Sequence, residues 1–187
     1  VPLQSGDEKI LKLMNRGYSP VEFANMISKV RRHLGNDVHI STDIIVGFPG
    51  EDEGAFQNTL NFICDLGIGR LHVFPFSPRK GTKAYDMPGR PERSEIADRV
   101  DRALEVGGKL LQQYAGIWMN REVEVLIERC KGSTLSGLSR HYLETEIDCD
   151  GIQGLSESGC KGLECKICVA EVKHGILYGK SSEIKEL

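Results

Sequence analysis

The sequence lacks a strong excess of charge and any long apolar run. Its 24 lysines and arginines stand against 27 aspartates and glutamates, a formal net charge of −3, which argues against a dedicated duplex-DNA binder. No apolar stretch approaches the roughly 18 residues that a membrane-spanning helix needs. With 40% hydrophobic and 27% charged residues over 187 positions, the composition is that of an ordinary soluble globular protein.

Neither a signal peptide nor a disulfide framework is visible. The first residues include no initiator methionine, no charged region and no apolar region, so we expect a piece of a longer protein. Six cysteines, at positions 64, 130, 149, 160, 165 and 168, are too few and too unevenly spaced for a secreted disulfide scaffold. These features favour a cytoplasmic protein.

Three of the cysteines have a spacing that resembles that of a metal site. Cys160, Cys165 and Cys168, with Cys149 upstream, have a ferredoxin-like spacing that suggests zinc or an iron-sulfur cluster. If residues 165–168 are part of a strand, however, their odd separation points the thiols of Cys165 and Cys168 to opposite faces. We therefore predict free thiols and no metal site, with a zinc or cluster site as the alternative.

The first half of the chain reads as α/β. A short helix fits residues 7–16, and Ser19 begins a second helix that ends before Gly35. A β-branched strand at 38–46, a helix at 51–66 and a strand at 70–76 follow, with the spacing of a right-handed βαβ unit. The pattern predicts two parallel strands covered by helices.

The second half alternates with the period of strands. After a helix of about twenty residues between 96 and 114, Val123, Val125 and Ile127 share one face and glutamates the other. The segments 142–149, 166–173 and 176–178 alternate in the same way. We predict a small antiparallel β-barrel, with domains at 1–117 and 118–187.

Two strand ends have the composition of ligand-binding loops. The segments 44–51 and 73–82 follow the predicted strands, where α/β proteins place their ligands. Gly47 and Gly50 would let a cofactor approach the backbone. The alternative is a turn that needs glycine for its own geometry.

Together these segments resemble the second half of the radical SAM methylthiotransferases. The matching stretches are Pro2-Leu3-Gln4-Ser5-Gly6, Ile10 to Tyr18, Ser41-Thr42-Asp43-Ile44-Ile45-Val46-Gly47-Phe48-Pro49-Gly50-Glu51 with Phe56 and Thr59, and His72-Val73-Phe74-Pro75-Phe76-Ser77-Pro78-Arg79 with Gly81-Thr82. The closing region, with Val125 to Glu128 and Gly137 to Tyr142, is similar to the TRAM domain of that family. His72 to Ser77 is most like the branch that acts on threonylcarbamoyladenosine in tRNA.

The resemblance implies a fold, cofactors and a reaction. It implies the C-terminal part of a partial TIM-like radical SAM barrel followed by an OB-like TRAM barrel. The parent enzyme would use S-adenosylmethionine and two 4Fe-4S clusters to add a methylthio group to C2 of N6-threonylcarbamoyladenosine beside the anticodon. The three-cysteine motif of the radical-generating cluster is missing here, so we expect the chain alone to bind no cofactor and to be inactive, with no catalytic residue of its own. Alternatives are the related reaction on a ribosomal protein and a non-catalytic RNA-binding module.

The resemblance also implies binding residues. For S-adenosylmethionine they are Gln4, Ser5, Arg16, Asp43, Val46, Gly47 and Phe74; helix-end and structural roles remain open for Arg16 and Asp43. RNA contact by the terminal barrel would use Arg129, Lys131, Arg140, His141, Tyr142 and Lys180, unless these only face solvent. We expect tRNA, through its anticodon loop, as partner, with no DNA and no membrane. The chain alone should self-associate through strand 38–46, whose edge and inner face would lack neighbours.

Overall fold

The structure is a computed structural model that describes residues 1–148, 160 and 162–185. Its helices are α1 (Glu8–Leu13), α2 (Pro20–Leu34), α3 (Glu53–Leu66) and α4 (Arg93–Gly116), with a short 3-10 helix at Lys83–Tyr85. Its strands are β1 (Ser41–Val46), β2 (Arg70–Pro75), β3 (Glu122–Lys131), β4 (Thr134–Ser139), β5 (Glu144–Asp148), β6 (Glu164–Lys173) and β7 (Ile176–Lys185).

The helix ends follow local chemistry. Ser19 and Glu22 form the predicted capping box, in which each side chain binds the other residue's backbone N–H group, and α2 ends at Gly35 with a φ of +94°. The first helix stops earlier than predicted, because Asn15 already takes a left-handed φ of +55°. Helix α3 begins at Glu53 behind the capping Asp52, so the predicted start at residue 51 is wrong.

The first sheet has two parallel strands and a short third member. β1 pairs with β2 in register from Ser41 with Arg70 to Val46 with Pro75. The strand starts at residue 41 rather than 38. On its other side, Gln4 forms a parallel bridge with Ile44. Residues 1–4 therefore cover the edge of β1 that we expected to be open.

The two faces of β1 differ in burial. Thr42, Ile44 and Val46 alternate as buried residues, and both apolar side chains belong to the core that helices α2, α3 and α4 share with this sheet. The opposite face carries Asp43 and Ile45, which are partly exposed. An open inner face carrying Ile44 and Val46 is thus excluded by their burial.

The second half forms a closed five-stranded barrel in the order β3-β4-β5-β7-β6. Val123, Val125 and Ile127 point inward as predicted, each at most 2% exposed. The barrel is not wholly antiparallel, because β5 and β7 run parallel. Strand β4 was not predicted as a strand.

Two compact units divide the chain, Val1–Leu110 and Leu111–Leu187. The division falls within α4, whereas the sequence places the boundary after residue 117. Among the described helices, none has both the length and the apolar composition of a membrane span.

Candidate functional site

A cavity of about 480 Å³ lies at the carboxyl ends of β1 and β2. Asp43 and Ile45 enter it from β1, and Phe74 enters it from β2 with its side chain 53% exposed. The other lining residues are Gln4, Pro75, Phe76, Ser77 and Arg79. Open α/β sheets place their ligands at this edge, so the position and lining indicate a binding site.

Gln4 is held in an unusual backbone conformation beside the cavity. Its φ is +70°, a left-handed value that a non-glycine residue seldom takes. Two bonds to β1 hold it there: its N–H donates to the carbonyl of Asp43 at 2.8 Å, and its carbonyl accepts from Ile45 at 2.9 Å. Backbone strain of this kind is concentrated at functional sites.

Three of the seven residues predicted for the cofactor converge on this cavity. Gln4, Asp43 and Phe74 line it together. Within the part of the chain that the structure describes, no side-chain hydrogen bond or ion pair to the carboxylate of Asp43 is found. That carboxylate is therefore available to a ligand hydroxyl or amine.

The other four predicted residues lie elsewhere. The Ser5 hydroxyl is buried and pairs with the Thr59 hydroxyl at 3.1 Å. Arg16 is exposed and does not line the cavity. The Val46 side chain belongs to the helix-facing core, and its carbonyl accepts from the N–H of Phe76, directly after β2, at 2.8 Å.

Gly47 has a structural reason to be glycine. Its φ is +80°, and a Cβ atom there would lie 2.5 Å from Cγ1 of Ile96. Only glycine combines this φ with so close an approach of helix α4. The geometry of the turn alone therefore explains why residue 47 is glycine, and no ligand contact is needed to explain it.

A buried ion pair holds the turn after β1. The Glu51 carboxylate accepts the Gly47 N–H at 2.6 Å and lies 3.3 Å from the guanidinium of Arg99, whose side chain is 1% exposed. Burial raises the pKa of Glu51 above its ordinary value, while the Gly47 and Arg99 hydrogen bonds oppose that shift. Arg99 also contacts Glu95 and Glu53.

Five residues that line the cavity were missed by sequence reasoning: Ile45, Pro75, Phe76, Ser77 and Arg79. The signal was available, because side chains two residues apart share a strand face. Asp43 predicts Ile45, and Phe74 predicts Phe76. Val46 was the wrong choice of contact, because its side chain lies on the opposite face of β1 from Asp43. No pattern in a single sequence distinguishes Arg79 from the other residues of its loop.

The described cysteines do not fit an iron-sulfur cluster. Cys165 is 1% exposed and faces the barrel core, whereas Cys168, three residues further on β6, is exposed. The opposite orientation of these two thiols is therefore as predicted. Within the described ranges no three histidine, cysteine or acidic side chains are grouped to hold a metal ion. Cys149 lies outside the described residues.

The residues predicted for RNA lie on several parts of the barrel, and only Arg140 and Tyr142 among them line a common cavity in the described part of the chain. Arg140 pairs with Glu124 at 2.6 Å and with Glu164 at 3.4 Å. The His141 ring stacks on Trp118 at 3.5 Å between centroids. Tyr142, Arg129, Lys131 and Lys180 are exposed.

These features define a small α/β unit with a cavity at its strand ends, followed by a closed β-barrel. Residues 1–63 match the family model described as the radical SAM superfamily. The chain is 34% identical over 143 residues to the tRNA-2-methylthio-N(6)-dimethylallyladenosine synthase of Moorella thermoacetica, covering 75% of this chain and 32% of the relative. It is 37% identical over 128 residues to the threonylcarbamoyladenosine tRNA methylthiotransferase MtaB of Bacillus subtilis, covering 68% and 28%.

The chain belongs to the radical SAM methylthiotransferase family. It spans about a third or less of the length of these curated relatives. A solved structure, the radical SAM enzyme coproporphyrinogen III oxidase (HemN) of Escherichia coli, aligns with 89% of this chain and 39% of its own at 13% identity and a TM-score of 0.48.

Proposed function

We propose that this chain is part of an enzyme that adds a methylthio group to C2 of N6-threonylcarbamoyladenosine beside the anticodon of tRNA. The observation that carries the proposal is the convergence of Gln4, Asp43 and Phe74 on one strand-end cavity in a chain of this family. Relatives of both the dimethylallyl and the threonylcarbamoyl type have similar identity to it. The choice between these substrates rests on the motif from His72 to Ser77.

The cavity has a lining that fits S-adenosylmethionine. Ile45 and the exposed ring of Phe74 offer apolar surface to an adenine base, and Asp43 offers an acceptor to ribose hydroxyls or to the amino group. Arg79 supplies a cation for the carboxylate end. When bound in a complete enzyme, the cofactor supplies the radical chemistry, while these residues bind and orient it.

The described cysteines offer no comparable site for the iron-sulfur clusters. Because the described thiols of Cys64, Cys130, Cys160, Cys165 and Cys168 form no common site, we derive no step through an iron-sulfur cluster from this chain. We propose that the cluster ligands belong to other parts of the parent enzyme and that this chain alone does not cleave S-adenosylmethionine.

For the barrel, we propose an OB-like TRAM domain at 118–187 beside a radical SAM portion at 1–117. The strand order, a five-stranded barrel with one parallel closure, supports an OB-like fold. Of the residues predicted for RNA, Arg129, Lys131 and Lys180 are exposed and, in the described ranges, make no ion pair. Because Arg129 lines a cavity with three glutamates, Lys131 and Lys180 suit phosphate contact best. Arg140 is already neutralised by two glutamates.

The substrate is tested by nucleoside analysis of tRNA. Cells that lack the complete gene should accumulate N6-threonylcarbamoyladenosine without its methylthio form, and the complete gene should restore the product. In the same rescue, Asp43→Asn should reduce product formation by about tenfold or more, since it weakens one hydrogen bond to a charged acceptor. Exposed Asp101→Asn is the control. Loss of the dimethylallyl product, or of a modified ribosomal protein, would transfer the proposal to that substrate.

We also propose that the isolated chain self-associates through its α/β unit. The surface through which two copies associate differs from the one expected from the sequence, because residues 1–4 cover the edge of β1. Among the described strands, β2 has no partner on its outer edge, and Phe74 lies exposed on the open face.

A further inference from the structure

The outer surface of strands β3, β4 and β5 contains a groove with an apolar floor and an acidic rim. Two neighbouring cavities, of about 460 and 300 Å³, share Glu128 and Leu138 among their lining residues, and we call the two together the outer groove. Leu126 lies opposite Leu138 across the β3–β4 pairing and is 43% exposed. Tyr142, 63% exposed, lines one end. Large apolar side chains left open on the outside of a closed barrel are typical of an interaction surface.

The charge of this groove has one dominant sign. Five glutamates line it, against two arginines: Glu124, Glu128, Glu144, Glu146 and Glu164, with Arg129 and Arg140. Arg140 pairs with Glu124 and Glu164, and Lys166 lies 3.8 Å from Glu124, so these two glutamates are largely neutralised. In the described part of the chain, Glu128, Glu144 and Glu146 make no ion pair and carry the negative charge of the groove. The groove therefore offers a negative field to an approaching ligand, and such a field repels the phosphates of RNA.

The groove is too dispersed for a metal ion and has no free strand edge. No three of its acidic side chains are grouped as metal ligands in the described part of the chain. Because the barrel is closed, β3, β4 and β5 each have neighbours on both sides, so a ligand cannot add a strand. Recognition must depend on side chains, through the apolar floor and the glutamates around it.

We propose that the outer groove binds a lysine- or arginine-rich peptide segment that carries an apolar side chain. The apolar side chain would pack on Leu126 and Leu138, while flanking cations would pair with Glu128, Glu144 and Glu146. Charge complementarity selects this occupant over nucleic acid. The proposal is independent of the reaction, because no groove residue lines the cavity at the ends of β1 and β2.

Fluorescence anisotropy tests the proposal with the full 187-residue chain. One probe is a short labelled peptide of lysines around a central leucine, and the other is a labelled single-stranded RNA. The peptide should bind, and its affinity should fall between roughly 50 and 200 mM salt because the contacts are ionic. Replacing the central leucine with glycine should weaken binding severalfold.

Charge-reversal variants locate the binding. Glu144→Lys with Glu146→Lys should weaken peptide binding by about tenfold or more. Glu8→Lys with Glu105→Lys changes the net charge by the same amount at exposed sites in α1 and α4 and should leave it within twofold. Leu126→Ser should weaken binding, whereas Leu104→Ser, at a residue of similar exposure, should not. Thermal unfolding of each variant verifies that it is folded.

Three results would overturn the proposal. The first is equal loss of peptide affinity in both charge-reversal pairs, which would show only a general charge effect. The second is a leucine-independent affinity, which would exclude the apolar floor. The third is RNA binding that is weakened by Leu126→Ser and is tighter than peptide binding, which would assign the groove to nucleic acid.

Discussion

Arg99 lies beneath the turn after β1, with its guanidinium 3.3 Å from the same Glu51 oxygen that accepts the Gly47 N–H. Neither side chain is more than 2% exposed. A second bond runs from Arg99 to the Glu51 carbonyl at 3.0 Å. Helix α4 thereby fixes the turn that follows the strand carrying Asp43.

Arg99→Met should destabilise the protein by about 3–5 kcal/mol, because it leaves the Glu51 carboxylate buried without a counter-charge. Adding Glu51→Gln should recover part of that loss, giving a coupling energy of roughly 0.5–3 kcal/mol in a double-mutant cycle. Urea unfolding measures both. The control is Arg102→Met, which breaks a more exposed pair with Glu53 and should cost about 1 kcal/mol or less. Additive losses would show that the pair is not coupled.

Gly47→Ala should cost about 2 kcal/mol or more, since it combines a left-handed φ with a 2.5 Å approach to Ile96. Ile96→Ala should relieve the contact but not the backbone strain, so the double variant should be more stable than additivity predicts. Gly108→Ala has open space and an ordinary helical position, and should stabilise by about 0.5–1 kcal/mol. Thermal unfolding compares the variants, and a neutral Gly47→Ala would contradict this account.

Local patterns in the sequence predicted individual helices and strands more accurately than they predicted which residues pack or pair with them. The capping box at Ser19 depends on residues three positions apart, and the inward set Val123, Val125 and Ile127 depends on simple alternation. Strand β4 was missed because its Thr-Leu-Ser-Gly-Leu-Ser sequence has few β-branched residues and a glycine, which ordinarily weakens a strand. Its hydrogen-bond partners on β3 and β5 are what make it a strand.

The sequence predicted that the site lies at the ends of two strands, but it did not predict most of the side chains that line it. Asp43 and Phe74 were named from the family resemblance, and both line the cavity where the two predicted parallel strands end. The sequence analysis placed Glu51 at the start of helix α3. No local pattern reveals that it pairs with Arg99, forty-eight positions later. Likewise, the outer groove combines residues from all five strands of the barrel, and the sign of its net charge is visible only once they are adjacent.

Labelling with iodoacetamide should separate the cysteines by burial. Cys64 and Cys168 are exposed and should react first, whereas buried Cys160 and Cys165 should react slowly. Burial also raises the pKa of the Cys165 thiol above its ordinary value, so its reactive thiolate should form only at higher pH than an ordinary cysteine thiolate. Peptide mass spectrometry across a pH series measures the rates.

In denaturant, Cys160, Cys165 and Cys168 should all titrate as free thiols without release of zinc. One zinc ion per chain by metal analysis would overturn the interpretation of these cysteines as free.

The chain alone should be colourless and should not cleave S-adenosylmethionine after anaerobic treatment with iron and sulfide. The reason is that its described thiols are dispersed between α3 and several parts of the barrel. Visible absorption and chromatographic detection of 5′-deoxyadenosine measure the outcome. A stoichiometric cluster with cleavage activity would contradict the proposal that the cluster ligands belong to other parts of the enzyme.

Self-association should depend on Phe74. A parallel sheet is normally covered on both faces, yet the face of the β1–β2 sheet with Phe74 lines an open cavity and leaves that ring 53% exposed. Sedimentation velocity should therefore show a concentration-dependent increase in the sedimentation coefficient. Phe74→Asp should abolish it by placing a charge in the contact, whereas Leu104→Asp, at a residue 52% exposed on α4, should behave like the wild type. A wild-type chain that sediments as a monomer at every concentration would show that this face needs no second copy, and equal effects of both substitutions would place the contact elsewhere.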